Sequence, residues 1–353
     1  LRIPYHGGLH LMAKGLAAVN KASGQTLAQK MALDFANELD RFCSTGFNTD
    51  LQITKQLYQQ YIQVLGNNPF EDFPKDVPFF RSSGTGKCLR EQTLRAIDAL
   101  EGTNRADKRS VQPHQNRWQN IGTAIGDMVQ MYVLMMEKHY ERLVGAPCHF
   151  RFARTPDGYT MFEEFSSDFQ EFKSGKISFI TGGSLDGIMI YTDPDTGEEH
   201  RVGLEVKSKQ TTYAATGHWS MKEANSKHVW QVTNYAMLKD LDQYLIVYVN
   251  ASHKTWNISD EDYAKYPDFR VFGVETPEEK KKEVRNRFFT AVEMAHEGVF
   301  PKLSLADFQF NDYKTACALS LTYKELEELK LEASTKFEKE AIKEIEKIRG
   351  DVK

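Results

Sequence analysis

Apolar side chains recur at helical spacing in several separate parts of the chain. In the N-terminal part they predict helices between about residues 26 and 65, on the residues Leu27, Met31, Leu33, Phe35, Leu39, Phe42, Leu51, Ile53, Leu57, Tyr61 and Val64. The same spacing predicts a helix from about Leu89 to Ala99 and a long one from about Gly122 to Val144, whose methionines we interpret as core filling. We also predict a helix from about His228 to Leu241 and a charged helical tail from Tyr323 to Lys353.

Strand-like runs, bounded by turn residues, occupy the middle of the chain. They are Cys148 to Ala153, Ile177 to Ile180, Ser184 to Tyr191, Val202 to Ser208 and Tyr244 to Asn250. Because helices flank them on both sides in the sequence, the pattern predicts an α/β fold with a mixed central β-sheet between helical layers. We expect four parts: a flexible or expression-derived start at 1–25, a helical N-terminal region at 26–115, a core at 116–310 and a C-terminal helical tail at 311–353.

A tight turn connects two of the predicted strands. Its sequence, Asp193-Pro-Asp-Thr-Gly197, favours a hairpin, because proline fixes φ and glycine accepts a positive φ. A hairpin centred on this turn pairs residues whose numbers sum to 391, which sets Asp186 opposite Glu205, and a bulge would shift the pairing by about one residue. Opposed side chains have Cβ atoms about 4.5 to 5.5 Å apart, so the two carboxylates can share one cation.

The strand after this turn carries Glu205 and Lys207, which emerge on one face because strand side chains alternate. Carboxylate and carbonyl oxygens suit Mg²⁺, which keeps positions open for water and phosphate oxygens. We therefore predict a Mg²⁺ site, at which Mn²⁺ substitutes, on Asp186, Glu205 and the main-chain carbonyl of Val206. Lys207 then holds the attacking water and stabilises negative charge on the scissile phosphate. The alternative is a surface hairpin with an ordinary ion pair between Glu205 and Lys207 or Lys209.

Three further motifs accompany the hairpin. A glycine-rich segment has the sequence Ser82-Ser83-Gly-Thr-Gly-Lys-Cys88-Leu-Arg90 and is no Walker A loop, since that loop requires a glycine at position 81 and Ser or Thr at position 88. A helix begins Gly122-Thr-Ala-Ile-Gly126-Asp127, in which Asp127 is either an acidic ligand or a solvent-facing residue that the helix dipole favours. The last motif is Gln231-Val-Thr-Asn-Tyr235, whose amide and phenol share one helix face.

These motifs, in this order, resemble those of the RecB-like branch of the PD-(D/E)XK nucleases, which includes phage recombination exonucleases. The resemblance spans roughly Ser82 to Cys317 and implies a restriction-endonuclease-like core with helical additions at both ends. The glycine-rich segment is similar to the family's Cys-x-Arg element, and the Gln231 helix is similar to its Gln-x-x-x-Tyr motif. The Asp127 helix is similar to the family's Gly-Thr-x-x-His helix, although Gly126 stands in the histidine position.

The resemblance implies roles for individual residues. The implied catalytic residues are Asp186, Glu205, Lys207 and Gln231. The implied metal ligands are Asp127, Asp186, Glu205 and Val206. The implied DNA contacts are Tyr235, Lys209, Arg90 and Ser83. The implied activity is that of a Mg²⁺-dependent DNA exonuclease in phage or bacterial recombination, replication or repair, with a single-strand annealing or recombination protein as a partner.

Cysteine usage bears on cofactors and location. The four cysteines include no CxxC or zinc-type spacing, which favours a reducing compartment. Iron-sulfur members of the family carry clustered cysteines near Cys317, where this chain has Phe308 and Asn311. Since Cys88 and Cys317 supply only two of the four thiolates that a [4Fe-4S] cluster needs, we expect no cluster and a packing role for both. No apolar run approaches the about 20 residues of a membrane span, so we expect a cytoplasmic protein without a membrane partner.

Charge and aromatic residues leave several interpretations open. The net charge of -4 argues against a general nucleic-acid coat, so local lysines must contact phosphates if DNA is the substrate. Three lysines near the predicted site could do so or could simply be solvated, namely Lys209, Lys222 and Lys227. A polar segment contains aromatic residues that either stack on DNA bases or are structural, namely His218, Trp219, His228 and Trp230. Two alternatives to an exonuclease are an endonuclease of restriction or junction type and a catalytically inactive DNA-binding or assembly protein.

Overall fold

The computed structural model describes residues 24–64, 73–74, 76–108 and 110–350. Within these ranges the helices are α1 Leu27–Cys43, α2 Leu51–Val64, α3 Leu89–Glu101, α4 Pro113–Val144, α5 Ser226–Lys239, α6 Asp260–Lys265, α7 Glu278–Glu297, α8 Leu305–Phe308, α9 Lys314–Leu319, α10 Tyr323–Glu332 and α11 Lys336–Arg349. The strands are β1 Phe79–Arg81, β2 Phe150–Phe152, β3 Glu163–Ser174, β4 Ile177–Leu185, β5 Gly187–Thr192, β6 Glu199–Lys209, β7 Gln243–Asn250 and β8 Phe269–Glu275. Most of the predicted flexible start (residues 1–23) and the end of the predicted tail (residues 351–353) lie outside the described residues.

The larger sheet has five strands in the order β2-β5-β6-β7-β8. Strands β6 and β7 are parallel and are connected through α5, whereas the other neighbouring strands pair antiparallel. Helices α1 and α4 cover one face of this sheet through a core cluster that includes Phe35 and Val133. Helix α5 covers the other face, where Ile188 and Val232 are fully buried. The sheet is thus a layer between helices.

The smaller sheet has three strands in the order β1-β4-β3, with β1 parallel and β3 antiparallel to β4. Helix α7 packs on it through Phe288, whose ring stacks on Phe80 with centroids 4.7 Å apart. Strand β4 ends at Leu185 and β5 begins at Gly187. The chain therefore passes from the smaller sheet to the larger one at a single residue, Asp186.

The predicted α/β class, with mixed sheets flanked by helices, is confirmed, but the strand assignment was incomplete. Strand β1 lies inside the region 26–115 that was predicted to be helical, and β3 and β8 were not predicted at all. All three lie at sheet edges, where short or charged strands are common and give no clear alternation of apolar and polar residues. The run predicted as one strand from Ser184 to Tyr191 is divided between β4 and β5.

Two helical segments also differ in extent from their predictions. Helix α4 begins at Pro113, well before the predicted start at Gly122, because proline suits the first helical turn and a capping box precedes it. The predicted tail is two helices, since the Thr335 hydroxyl accepts a hydrogen bond from the Glu338 amide at 3.2 Å and begins α11 there. None of the helices in the described ranges is long and apolar enough to cross a bilayer.

The buried carboxyl group of Asp40, on α1, makes the stability of the fold depend on pH. Burial, together with the nearby charge of Asp268, raises its pKa to about 6, and the Tyr263 hydroxyl donates to it at 3.2 Å. Because the folded pKa lies above the ordinary value of 3.8, native stability falls as the pH rises through about 6. We expect Asp40→Asn to raise the free energy of unfolding at pH 8 by about 1 to 2 kcal/mol, since Asn can still accept from Tyr263. Chemical denaturation of the parent and Asp40→Asn proteins at pH 8 and pH 4 checks this prediction. An equal gain in the free energy of unfolding at both pH values contradicts it.

Candidate active site

The hairpin of β5 and β6 has the register that its turn predicts. The pairs run from Gly187 opposite Leu204 to Thr192 opposite Glu199 without a bulge. Continuing this register by one residue sets Asp186 opposite Glu205. The Val206 amide donates a hydrogen bond to Asp186 Oδ2 at 2.5 Å, which fixes that carboxylate against the neighbouring strand. The predicted register of the hairpin is therefore confirmed, and the charge of Glu205 acts on the Asp186 carboxyl group.

The two faces of β6 are chemically different. Leu204 and Val206 pack into the core cluster beneath α1 and α4. Glu205 and Lys207 emerge on the opposite face, where Glu205 is only 2% exposed and pairs with the Lys207 ammonium group. On α5, Gln231 donates a hydrogen bond from Nε2 to Glu205 Oε1 at 2.8 Å. Asp186, Glu205, Lys207 and Gln231 are thus brought together at one place, as the sequence predicted.

The electrostatics of this cluster follow from burial and close charges. Burial, and then the charge of Glu205, raises the pKa of Asp186 well above its usual range. Burial alone would lower the pKa of Lys207, but the charges of Glu205 and Asp186 outweigh it, and that pKa is raised. Lys207 therefore carries its positive charge at neutral pH. Asp186 can therefore bind either a proton or a cation beside Glu205.

Tyr235 shares the α5 face with Gln231 and supports the end of β4. It is 5% exposed, and its hydroxyl donates to the Ser184 carbonyl at 2.8 Å. Burial, and then the charges of Glu205 and Asp186, raises its pKa, so the phenol stays protonated. This geometry favours a role in positioning the segment before Asp186 over the predicted contact with the DNA backbone.

A second acidic pair lies near the first. Asp127 on α4 is hydrogen-bonded to Glu163, and burial raises the pKa of Asp127. The Tyr61 hydroxyl donates to Glu163 Oε2 at 2.9 Å. The charge of Glu163 in turn contributes to the raised pKa of Asp186. Glu163 is a residue that sequence reasoning missed, because its position depends on a left-handed backbone conformation (φ 45°) at the start of β3.

The predicted DNA contacts of the glycine-rich segment differ in their surroundings. Ser83 is exposed and lines a cavity of about 410 Å³ with Lys87 and Arg95. Arg90 is fully buried: its Nε donates to the Pro301 carbonyl at 2.7 Å, and its guanidinium group pairs with Glu325. This burial argues against the predicted DNA contact of Arg90 and for a structural role that ties α3 to the C-terminal helices.

Several basic and aromatic residues after β6 have partners within the fold, whereas Lys209 lies on the face of Glu205 and Lys207. His228 is hydrogen-bonded through Nδ1 to the Tyr248 hydroxyl at 2.8 Å, and burial lowers its pKa to about 3, so it is neutral and structural. Trp230 packs partly buried in the cluster of α7, and Lys227 pairs with Asp307 at 2.6 Å. Lys209 extends the row of Glu205 and Lys207, and burial together with the charge of Lys207 lowers its pKa.

The two cysteines of interest are close neighbours, which fits the predicted packing role. Cys88 and Cys317 are buried in the same apolar cluster. Their sulfur atoms accept hydrogen bonds at 3.3 Å from the Ser304 amide and the Asn311 side chain, respectively. Among the described residues, no three His, Cys, Asp or Glu side chains gather into a ready metal-binding group. The acidic residues that interact at the start of the β5–β6 hairpin are Asp186 and Glu205.

Comparison with known proteins gives only distant likenesses. Neither a family model nor a curated protein matches the chain. Among solved structures, a protein designated SSO0001 has a TM-score of 0.38 at 10% identity and covers 78% of this chain and 100% of its own. An alkaline exonuclease from Laribacter hongkongensis has a TM-score of 0.35 at 10% identity and covers 64% of this chain and 90% of its own. A phage-related exonuclease from Haemophilus somnus 129PT has a TM-score of 0.32 at 13% identity, covering 62% and 93%.

Proposed function

We propose that this chain is a Mg²⁺-dependent deoxyribonuclease that hydrolyses phosphodiester bonds and works as an exonuclease. The observation that carries the proposal is the meeting of Asp186 and Glu205 across β5 and β6, with Lys207 and Gln231 beside them. An ordinary surface ion pair would not be buried, and Glu205 is 2% exposed. Burying two carboxylates side by side is costly unless a cation or proton lies between them, which supports a binding role.

The residues present fit a divalent cation. Asp186, Glu205 and the Val206 carbonyl would hold it, and the hydrogen-bonded carboxyls of Asp127 and Glu163 offer further oxygen ligands near Asp186. Two carboxyls that share a hydrogen bond can exchange the shared proton for a cation. When bound, Mg²⁺ would polarise the scissile phosphate and lower the pKa of a water molecule.

The protein groups have separate tasks in this proposal. The Val206 amide and the Gln231 side chain orient the carboxylates of Asp186 and Glu205 before substrate arrives, which reduces reorganisation during the reaction. The ammonium group of Lys207 donates to the attacking water or to a phosphate oxygen, where its charge stabilises the pentavalent transition state. Lys209, two residues along the same face, supplies a phosphate contact.

The resemblance stated above supports DNA as the substrate and attack from an end. It also supports a role in phage or bacterial recombination, replication or repair, with a single-strand annealing or recombination protein as a partner. An endonuclease on the same core would use the same chemistry without requiring an end. An inactive DNA-binding protein would keep Lys207 only to compensate the charge of the buried carboxylates, and it would not degrade DNA in Mg²⁺.

Digestion of DNA substrates tests this proposal. We expect the chain to release nucleotides from end-labelled linear DNA in Mg²⁺ or Mn²⁺, and EDTA to stop the release, because the carboxylates alone cannot activate water. Gel analysis of linear and covalently closed circular DNA under the same conditions separates the two nuclease types. Efficient cutting of closed circles contradicts the exonuclease proposal, and degradation in EDTA contradicts metal dependence.

A further inference from the structure

Three aromatic side chains stand exposed on the segments that follow β6 and β7. Tyr213 is 38% exposed, Trp219 is 79% exposed and Trp256 is 98% exposed. Exposed tryptophans are unusual, since burying an aromatic ring is strongly favourable. We call Tyr213, Trp219 and Trp256 the aromatic rim.

One member of the aromatic rim, Tyr213, is tied to the end of the larger sheet that carries Lys209. Asn250, which pairs with Lys209 across β6 and β7, donates from Nδ2 to the Tyr213 carbonyl at 3.1 Å. Tyr213 is four positions after Lys209, so the chain between them spans at most about 14 Å. The Tyr213 ring meets the edge of Tyr266 with centroids 5.3 Å apart, which joins the two segments. Tyr213 thus lies just beyond the end of β6 that carries Lys207 and Lys209.

Lysines lie among the rings of the aromatic rim. The Lys222 ammonium group is 5.9 Å from the centre of the Trp219 ring, and that of Lys254 is 5.8 Å from the centre of the Tyr213 ring. Residues 206–222 and 243–259 contain no Asp or Glu, in a chain whose net charge is -4. The two stretches end at Glu223 and at Asp260, and Asp262 of α6 pairs with Lys254 at 3.5 Å. The aromatic rim therefore combines stacking surfaces with local positive charge.

We propose that the aromatic rim binds single-stranded DNA by stacking bases on Trp219, Trp256 and Tyr213, while Lys209, Lys222 and Lys254 contact phosphates. Aromatic rings spaced among lysines are the chemistry that recognises unpaired bases, because every base has a flat face and every link carries a negative charge. Bases in a duplex are already stacked and offer these rings no free face. The inference deepens the proposed nuclease function by naming an unpaired strand as the substrate segment held beside the active site.

Binding in EDTA tests the inference without hydrolysis. The probe is a fluorescein-labelled oligo-dT, with a hairpin duplex of equal phosphate number for comparison, and the readout is anisotropy with the full chain. We expect Trp219→Ala and Trp256→Ala each to weaken oligo-dT binding by about fivefold, the smallest loss that stacking of one base predicts. Trp256→Phe should retain most of the affinity, and duplex affinity should change less than twofold.

The matched control is Phe337→Ala on α11, since Phe337 is also an exposed ring, at 66%, but lies outside the aromatic rim. It should leave oligo-dT affinity unchanged. Oligo-dT affinity that is equal in the parent, Trp219→Ala and Trp256→Ala proteins overturns the inference, as does an equal loss for the duplex. Because no metal is present, these results are independent of whether Mg²⁺ supports digestion, and a chain that binds oligo-dT but never digests DNA would refute the nuclease proposal alone.

Discussion

Replacing Lys207 by methionine is expected to slow hydrolysis of end-labelled DNA by about 10²- to 10³-fold at saturating substrate. The loss follows because Lys207 keeps its positive charge beside Glu205, where it would act on the charge that develops at the phosphate. Methionine keeps most of the volume of the side chain and removes only the ammonium group. Single-turnover digestion in Mg²⁺ measures the rate, and circular dichroism verifies the fold.

Lys209→Met is the matched control, since Lys209 lies two residues along the same face of β6. It should weaken DNA binding by a few-fold and leave the single-turnover rate at saturation nearly unchanged. A Lys207→Met protein that digests DNA within about threefold of the parent rate would remove Lys207 from the chemistry. Equal losses of rate in the two variants would point to general loss of positive charge instead.

The second large effect is expected on stability. Arg90→Ala should lower the free energy of unfolding by about 3 kcal/mol, because the fully buried guanidinium group loses its hydrogen bond to Pro301 and its ion pair with Glu325. We place the loss at the low end of the range for buried pairs, since Glu325 is 33% exposed and can be solvated. Urea denaturation of both proteins measures the difference.

A surface ion pair provides the comparison for Arg90. Lys324 is 88% exposed and 3.8 Å from Glu328 on α10, so Lys324→Ala should change stability by less than about 0.5 kcal/mol. If Arg90 contacted DNA, its loss would reduce oligonucleotide affinity with little effect on stability. A folded Arg90→Ala protein with parental stability and much weaker DNA binding would restore the contact that the resemblance implied.

The catalytic cluster could be predicted from the sequence because short-range signals define it. The turn from Asp193 to Gly197 fixes the register of β5 and β6, and that register alone sets Asp186 opposite Glu205. The period of a strand then places Lys207, and the period of a helix places Gln231 and Tyr235 on one face. In each case one local signal, a turn or a strand or helix period, leads from the motif to the predicted position.

The features that could not be predicted depend on distant partners. Strand β3 is rich in polar residues and forms an edge, so its only clear signal is its pairing with β4. Glu163 reaches the site through a backbone conformation that glutamate rarely adopts, and no sequence pattern indicates it. Arg90 matched a family motif by position, but its burial is set by Pro301 and Glu325, more than 200 residues away. Local patterns carry no information about such partners.

The passage from β4 to β5 through Asp186 has a mechanical consequence. One peptide link joins its backbone to the three-stranded sheet and the next joins it to the five-stranded sheet, while Glu205 and Lys207 belong to the five-stranded sheet alone. Any twist of one sheet relative to the other is therefore transmitted directly to the gap between the Asp186 and Glu205 carboxylates. A DNA strand in contact with both sheets would change the distance between the two carboxylates when it bends. The shape of the bound DNA and the spacing of Asp186 and Glu205 would then change together.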